Sequence, residues 1–513
     1  MTPVIRRNPP QSLPRNLTLA CSVVGAMVVA LDGTALTVVQ PALQRDLDAS
    51  FAQVQWTSTG YLIAVASLLV FAGRLGDRYG HRRLFAVGTL GFAAASAGVG
   101  LAPGVGWVIA LRVAQGVFGA LLQPATLGML RAAFPPDRLG MPIALRMSAI
   151  GLAAATGPLV GGALATQLGW RSVFFLSVVP ALVIGVLALV VRVPAARPKA
   201  PAPGLDLPGA GLLAVTLACL VHTLVTVPEH GWTPTAVAGL SAAAVAGVAF
   251  IRHERRAASP LVPPRLLRSA GVGPALGILV AASAAMFGAL FVGTYFLQDV
   301  LDLDPLDSAL RALPLAVLMV VSAPLSAVVL RRQGPRRTIT AAMTVLALGV
   351  LALSRLDAAS GPVATGIGFL LIGAGFGTVM VAATAVVVRH APVADAGVAG
   401  GLQQTAMNVG PTVGIAAATT LMTTFTSPAP GPADSRSQWP EAEFLVAMPP
   451  TLTALAAVAA LGALAATRLP RRTAPSPGPA PALTRNADAA PRPPSAASPA
   501  PASRSPRRRR GAA

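Results

Sequence analysis

Asp32 lies in the middle of an apolar run covering residues 17 to 40, and it is the one acidic residue well inside any predicted helix of the chain. Ionising a carboxylate in hydrocarbon is costly, so such a group is disposed to take up a proton or hold a counterion. Arg112 lies about six residues into another apolar run, where a guanidinium requires a partner or a wet cavity unless it snorkels to the interface. Together the two charges make either a proton-exchanging site or a purely structural ion pair. Arg146 stands one to two turns inside a third run, placed either to meet an anionic small molecule or to reach the headgroups. Thr34, Tyr61, Gln115, Gln123, Tyr295, Gln298, Gln403, Gln404 and Asn408 are further helix-borne polar groups. They can line a central cavity, or each can satisfy an interhelical hydrogen bond worth about 0.6 kcal/mol in a membrane.

Other chemistry has little to stand on. The 513 residues include 5 His and 2 Cys. His222, His230 and His253 are too far apart for ligation from adjacent helical turns. Cys21 and Cys219 stand alone in separate apolar runs, which is neither a disulfide framework nor a metal pattern. Phosphate-binding and dinucleotide fingerprints are absent, so neither an enzyme nor ATP coupling is expected, and no cofactor or metal is implied.

The elements that must hold these groups are membrane helices. Hydrophobic residues make up 54% of the chain and charged ones 11%, against about 25% charged in soluble domains. About 20 apolar residues span the hydrocarbon as helix. Such runs fall at about 17–40, 55–73, 84–103, 106–130, 141–166, 172–192, 207–227, 234–251, 272–298, 308–330, 338–354, 361–388, 397–424 and 444–467. The expectation is an all-α integral membrane protein of fourteen transmembrane helices. The first run is too long for a signal-peptide core and lacks a small-residue cleavage site, so it is expected to be retained.

Basic residues crowd alternate loops: Arg6, Arg7 and Arg15, then Arg74, Arg78, Arg82 and Arg83, then Arg131 and Arg138, and so on to Arg389 and the tail. By the positive-inside rule these loops and both termini are cytoplasmic, in a bacterial inner membrane. Trp56, Trp107, Trp170, Trp232 and Trp439 gather on the opposite side, where interfacial tryptophan is favoured. The net charge of +21 is therefore a matter of topology and of a Pro-, Ala- and Arg-rich tail, with no nucleic acid implied. The tail is expected to be disordered, and Arg507 to Arg510 to touch anionic lipid.

Two fragments recur at nearly constant spacing. Gly80, Arg82 and Arg83 return as Gly334, Arg336 and Arg337, an offset of 254. Gly157, Pro158 and Gly161 return as Gly410, Pro411 and Gly414, an offset of 253. Internal repeats of this kind mark transporters. They divide the chain into an N-terminal segment (1–16), a six-helix bundle (17–192) and a linker with inserted helices seven and eight (193–253). A loop (254–271), a second six-helix bundle (272–467) and the basic tail (468–513) follow.

With these residues in view, the chain resembles the major facilitator superfamily, and within it the fourteen-helix drug:proton antiporter branch, over residues 15 to 467. The loop Gly73-Arg74-Leu75-Gly76-Asp77-Arg78-Tyr79-Gly80-His81-Arg82-Arg83 is similar to the superfamily's gating loop between helices two and three. Arg112, Gln115, Gly116 and Gly119 resemble its fourth-helix motif, and Gly157-Pro158-Leu159-Val160-Gly161-Gly162 the kinked fifth-helix signature of antiporters. Leu31-Asp32-Gly33-Thr34 with Pro41 resembles the first-helix element of the branch. Departures occur at Ala153, Thr37, Gln40 and Ser177.

The resemblance implies a monomeric exporter of amphipathic small molecules, driven by the proton gradient through alternating access. Asp32 would alternate between protonated and paired states, with Arg112 modulating its charge. A dedicated exporter of one endogenous metabolite or host-made antibiotic is the alternative, and a non-transporting sensor or scaffold a third class.

Overall fold

The computed structural model describes residues 12–135, 138–190, 204–303, 305–425 and 441–470, and all of these are helix or connecting turn, with no strand among them. In chain order the helices are α1 (Ser12–Asp46), α2 (Phe51–Tyr79), α3 (His81–Gly100), α4 (Val105–Ala133), α5 (Gly140–Leu168) and α6 (Arg171–Val190). Then come α7 (Leu207–His230), α8 (Pro234–Glu254) and the single turn α9 (Pro264–Leu267). The last set is α10 (Val272–Tyr295), α11 (Pro305–Gln333), α12 (Pro335–Leu353), α13 (Pro362–His390), α14 (Ala396–Phe425) and α15 (Glu441–Ala466). A π-helical turn, Phe296–Val300, continues α10. The basic tail beyond residue 470 lies outside the described residues.

Lipid cannot satisfy backbone polar groups, so each crossing must close its own hydrogen bonds. Long helices do so, and their ends carry dedicated caps. Ser50 and Gln53 form a reciprocal capping box at the start of α2. Asp206 accepts from the Gly209 amide at 2.9 Å to start α7. Proline occupies the first turn of α7, α8, α12 and α13, where its missing N–H costs nothing. The outer faces expose Leu159, Val179, Val245, Val363 and Leu461, an apolar surface that only a bilayer can solvate.

Among the described residues twelve helices are long and apolar enough to cross a membrane, or thirteen if bent α5 is counted as one span. The fourteen expected runs each coincide with a helix, but α14 falls short by composition. Gln403, Gln404, Asn408 and its threonines dilute its apolar residues. Helix α5 bends by 44° between Gly140–Ala154 and Leu159–Leu168, at the expected kink. The Pro158 side chain itself lies outside the described residues.

The packing of the first six long helices recurs in the last six. Helix α2 packs on α4, α3 on α4, α1 on α5 and α3 on α6, and likewise α11 on α13, α12 on α13, α10 on α14 and α12 on α15. Across the two sets α2 meets α14 and α5 meets α11, again as counterparts. The turn residues repeat too. Gly80 between α2 and α3 has φ +95°, and Gly334 between α11 and α12 has φ +81°, a region costly for any residue with a Cβ. Helices α7 and α8 pair with each other, and α7 leans on α2 and α14. Trp56 stacks on His222 with ring centroids 5.7 Å apart, and the Trp232 indole donates to Thr420 Oγ1 at 2.8 Å.

Candidate functional site

A closed polar cluster sits between α1, α2, α3 and α4. The three-residue spacing of Arg112 and Gln115 puts both on one face of α4, and α1 brings Asp32 against that face. The Arg112 guanidinium donates through Nη1 to Asp32 Oδ2 at 2.6 Å and to Gln115 Oε1 at 2.6 Å. Gln115 Nε2 donates to Asp32 Oδ1 at 2.9 Å and to Ser96 Oγ on α3 at 2.7 Å. Arg112 Nε donates to the Thr57 carbonyl of α2 at 3.1 Å, and its Cζ lies 4.5 Å from the centroid of the Tyr61 ring. Asp32 is 4% exposed and Arg112 1%, which removes the snorkelling alternative for this arginine. The glycines of the same motif make room, because a Cβ on Gly116 would lie 2.7 Å from the Tyr61 carbonyl oxygen.

Asp32, Arg112, Gln115 and Tyr61 are thus brought together, and other expected residues are not part of this cluster. Thr34 bonds back to the Ala30 and Leu31 carbonyls. Its side chain fills the place a Cβ on Gly157 would need, with Thr34 Cβ 3.0 Å from that position. Tyr295 packs edge-on against Phe291, and Gln298 lies in the π-helical turn. Asn408 donates to the Gln404 carbonyl one turn away. Gln123 and Gln403 are buried farther along α4 and α14, and Gly161 packs against Ala35. Gly162 comes near Val38 alone. Arg146 points inward: it is 1% exposed and donates through Nε to Thr126 Oγ1 at 3.2 Å.

The second cluster is a tight contact between the end of α2 and the start of α14. Gly73 and Gly397 meet backbone to backbone. A Cβ on Gly73 would overlap the Gly397 carbonyl oxygen and lie 2.5 Å from its carbon. Asp77 accepts from the Gly397 amide at 2.7 Å and the Val398 amide at 3.1 Å, so its carboxylate caps the positive end of α14. His81 Nε2 stands 3.2 Å from the same carboxylate. Beside it Arg74, 4% exposed, pairs with Asp395 at 3.2 Å and donates to the Pro260 carbonyl at 3.3 Å. Arg265 holds the other oxygen of Asp395 at 3.0 Å. Gly80 forms the turn, and Arg78 lies over the Tyr79 ring at 5.5 Å, while Arg82 and Arg83 open α3. The same end is closed by α5 on α11, with Ser148 Oγ donating to the Val320 carbonyl at 3.0 Å.

At the far end Asp46 joins α1 to α6. Hydrogen bonds from the Trp170 indole and the Arg171 guanidinium hold its carboxyl below the ordinary value of 3.8.

Ser96, Thr57, Asp395 and Gly397 carry no mark as site residues in the sequence, and Arg74 only as part of the loop between α2 and α3. A serine in an apolar helix carries no signal, and a backbone carbonyl has none at all. No group of His, Cys, Asp or Glu that could hold a metal occurs among the described residues.

The family model of the Major Facilitator Superfamily matches residues 22–415. The chain is 42% identical over 406 residues to the tetracenomycin C resistance and export protein of Streptomyces glaucescens, covering 79% of this chain and 75% of that one. It is 35% identical to the cephamycin export protein CmcT of Amycolatopsis lactamdurans, covering 81% and 86%. Among solved structures, the human organic anion transporter MFSD10 (TETRAN) aligns with a TM-score of 0.59 at 14% identity, over 90% of this chain and all of that one, a likeness of fold alone.

Proposed function

The chain belongs to the Major Facilitator Superfamily, a multi-pass protein of a bacterial membrane that handles small-molecule cargo. From that premise we propose that it exports amphipathic small molecules in exchange for protons. The observation that carries this reading is the Asp32, Arg112 and Gln115 ring, because of how it divides its hydrogen bonds.

While ionised, Asp32 takes one bond from Arg112 and one from Gln115. A proton added at Oδ2 cancels the pair, yet Arg112 keeps Gln115 Oε1, the Thr57 carbonyl and the Tyr61 ring. The guanidinium is never left bare, a state that otherwise costs about 3–5 kcal/mol in a buried site. Asp32 therefore changes charge without the cluster falling apart, as a proton carrier must.

Alternating access would then be rocking of the two packing repeats, α1–α6 and α10–α15, about a midplane cavity. In this reading the Gly73–Gly397 contact acts as a gate, shut here on the side we read as cytoplasmic from the basic loops. Both termini lie on that side in this reading, and the transporting unit is one chain.

In sealed everted vesicles or proteoliposomes, Asp32→Asn should abolish cargo accumulation driven by an imposed pH gradient while retaining cargo binding. Undiminished coupled transport would remove Asp32 from the mechanism. The names of the two Streptomyces and Amycolatopsis relatives favour a narrower second reading, self-resistance export of one antibiotic. A deletion strain sensitised to a single compound supports it, and one sensitised to unrelated compounds supports the broader reading.

A further inference from the structure

Among the described residues three arginines are buried within the helices, and two of them have carboxylates. Arg112 pairs with Asp32 and Arg74 with Asp395. Arg146 on α5 is as deeply buried as Arg112, yet it forms no ion pair with any described residue. Its one hydrogen bond is from Nε to Thr126 Oγ1, and Nη1 is buried with no partner. A guanidinium without a counter-charge is among the costliest groups to keep in a membrane protein, and such groups mark pathways. Snorkelling does not relieve the cost, because the side chain turns in against α4 rather than out along α5.

An unmet acceptor lies on the facing half. Gln403 on α14 is fully buried. Its Nε2 donates to Thr384 Oγ1 at 3.2 Å, and its Oε1 has no partner. One turn before it, a Cβ on Gly400 would lie 3.2 Å from the Pro124 carbonyl oxygen and 3.4 Å from Leu127 Cβ, so α14 runs along the stretch of α4 that carries Thr126. Arg146 thus bonds to Thr126, and the helix that carries Gln403 packs through Gly400 on the neighbouring Pro124 and Leu127 of the same stretch of α4, about two turns inside the closed gate. The repeat offset of 254 pairs Arg146 with Gly400, so the second half supplies no matching charge.

We propose that Arg146 is an oxyanion-binding residue for cargo. It takes amphipathic molecules bearing an ionised oxygen (a carboxylate, sulfonate or phenolate), with Gln403 Oε1 accepting from a neighbouring hydroxyl or amine. The setting rests on the exporter reading, but binding is measured without proton coupling, so the two can fail separately.

The test is equilibrium binding of 8-anilinonaphthalene-1-sulfonate and of uncharged N-phenyl-1-naphthylamine, the same frame without the sulfonate, to the full chain in nanodiscs, corrected with empty nanodiscs. The wild-type chain should prefer the sulfonate. Arg146→Gln should weaken sulfonate binding about tenfold or more, the size of one charge-assisted contact, and leave the neutral probe within about twofold. Arg146→Lys should retain most of the preference. Equal loss for both probes, no loss for the sulfonate, or no wild-type preference overturns the assignment. Charge-selective binding that survives with no pH-driven transport would instead count against the exporter reading alone.

Discussion

Replacing Gly73 with alanine inserts a single carbon where α2 meets α14. That carbon would lie 2.5 Å from the Gly397 carbonyl carbon and 3.0 Å from the Val398 nitrogen, and it would overlap the Gly397 oxygen. Ordinary contact begins near 3.4 Å, and the obstacle is backbone on both sides, so no rotamer relieves it. The helices must part, and Asp77 then loses its amide bonds at 2.7 and 3.1 Å. Hydrogen bonds to a charged group contribute about 1.5–3 kcal/mol each, so the pair loses about 3 kcal/mol even after partial rehydration. That shifts the closed-to-open ratio of the gate by roughly 150-fold.

The assay removes Cys21 and Cys219, places one cysteine at Leu127, which is fully buried beside Gly400, and follows its reaction with a membrane-impermeant maleimide. Labelling should be at least about tenfold faster with Gly73→Ala and with Gly397→Ala. It should be unchanged with Gly277→Ala, whose Cβ would meet open space. Equal labelling in parent and Gly73→Ala would refute the view that this glycine contact holds the gate shut.

Two further outcomes follow from the packing of α1. Arg112→Gln, which leaves Asp32 as a buried carboxylate without its cation, should lower stability by about 3–5 kcal/mol, Asp32→Asn should cost less because Arg112 keeps its other partners, and the double variant should be more stable than Arg112→Gln alone in thermal unfolding. Gly157→Ala should collide with Thr34 and cost about 1–3 kcal/mol, and Thr34→Ala in the same chain should restore most of it.

Hydropathy located every long helix, because in lipid the apolar run and the helix are the same physical requirement. It was less secure for α14, where Gln403, Gln404 and Asn408 serve interior contacts at the expense of apolar character. The ring around Asp32 was half legible. Charges in hydrocarbon announce themselves, and the spacing of Arg112 and Gln115 fixes their common face. Ser96 and the Thr57 carbonyl were silent, since ordinary residues become partners only when helices meet. The gate was legible on one side: Asp77 stood in a recognisable loop. The donors it accepts from, the Gly397 and Val398 amides, are backbone groups 320 and 321 residues away in sequence. Arg146 was seen but not resolved, because side-chain length permits both directions and only packing chooses.

The lone position of Asp32 also has an electrical meaning. Its repeat counterpart is Met286, buried and unable to titrate. One carboxylate in the core carries at most one proton inward per proposed cycle. Exchange for a monovalent cation would then move no net charge, and exchange for a neutral molecule would move one. Exchange for a monovalent oxyanion would move two. Each charge crossing gains about 2.3 kcal/mol per 100 mV of membrane potential. A cargo held by Arg146 would thus draw on the membrane voltage twice over, and its export should persist when the pH gradient is collapsed but the voltage is kept.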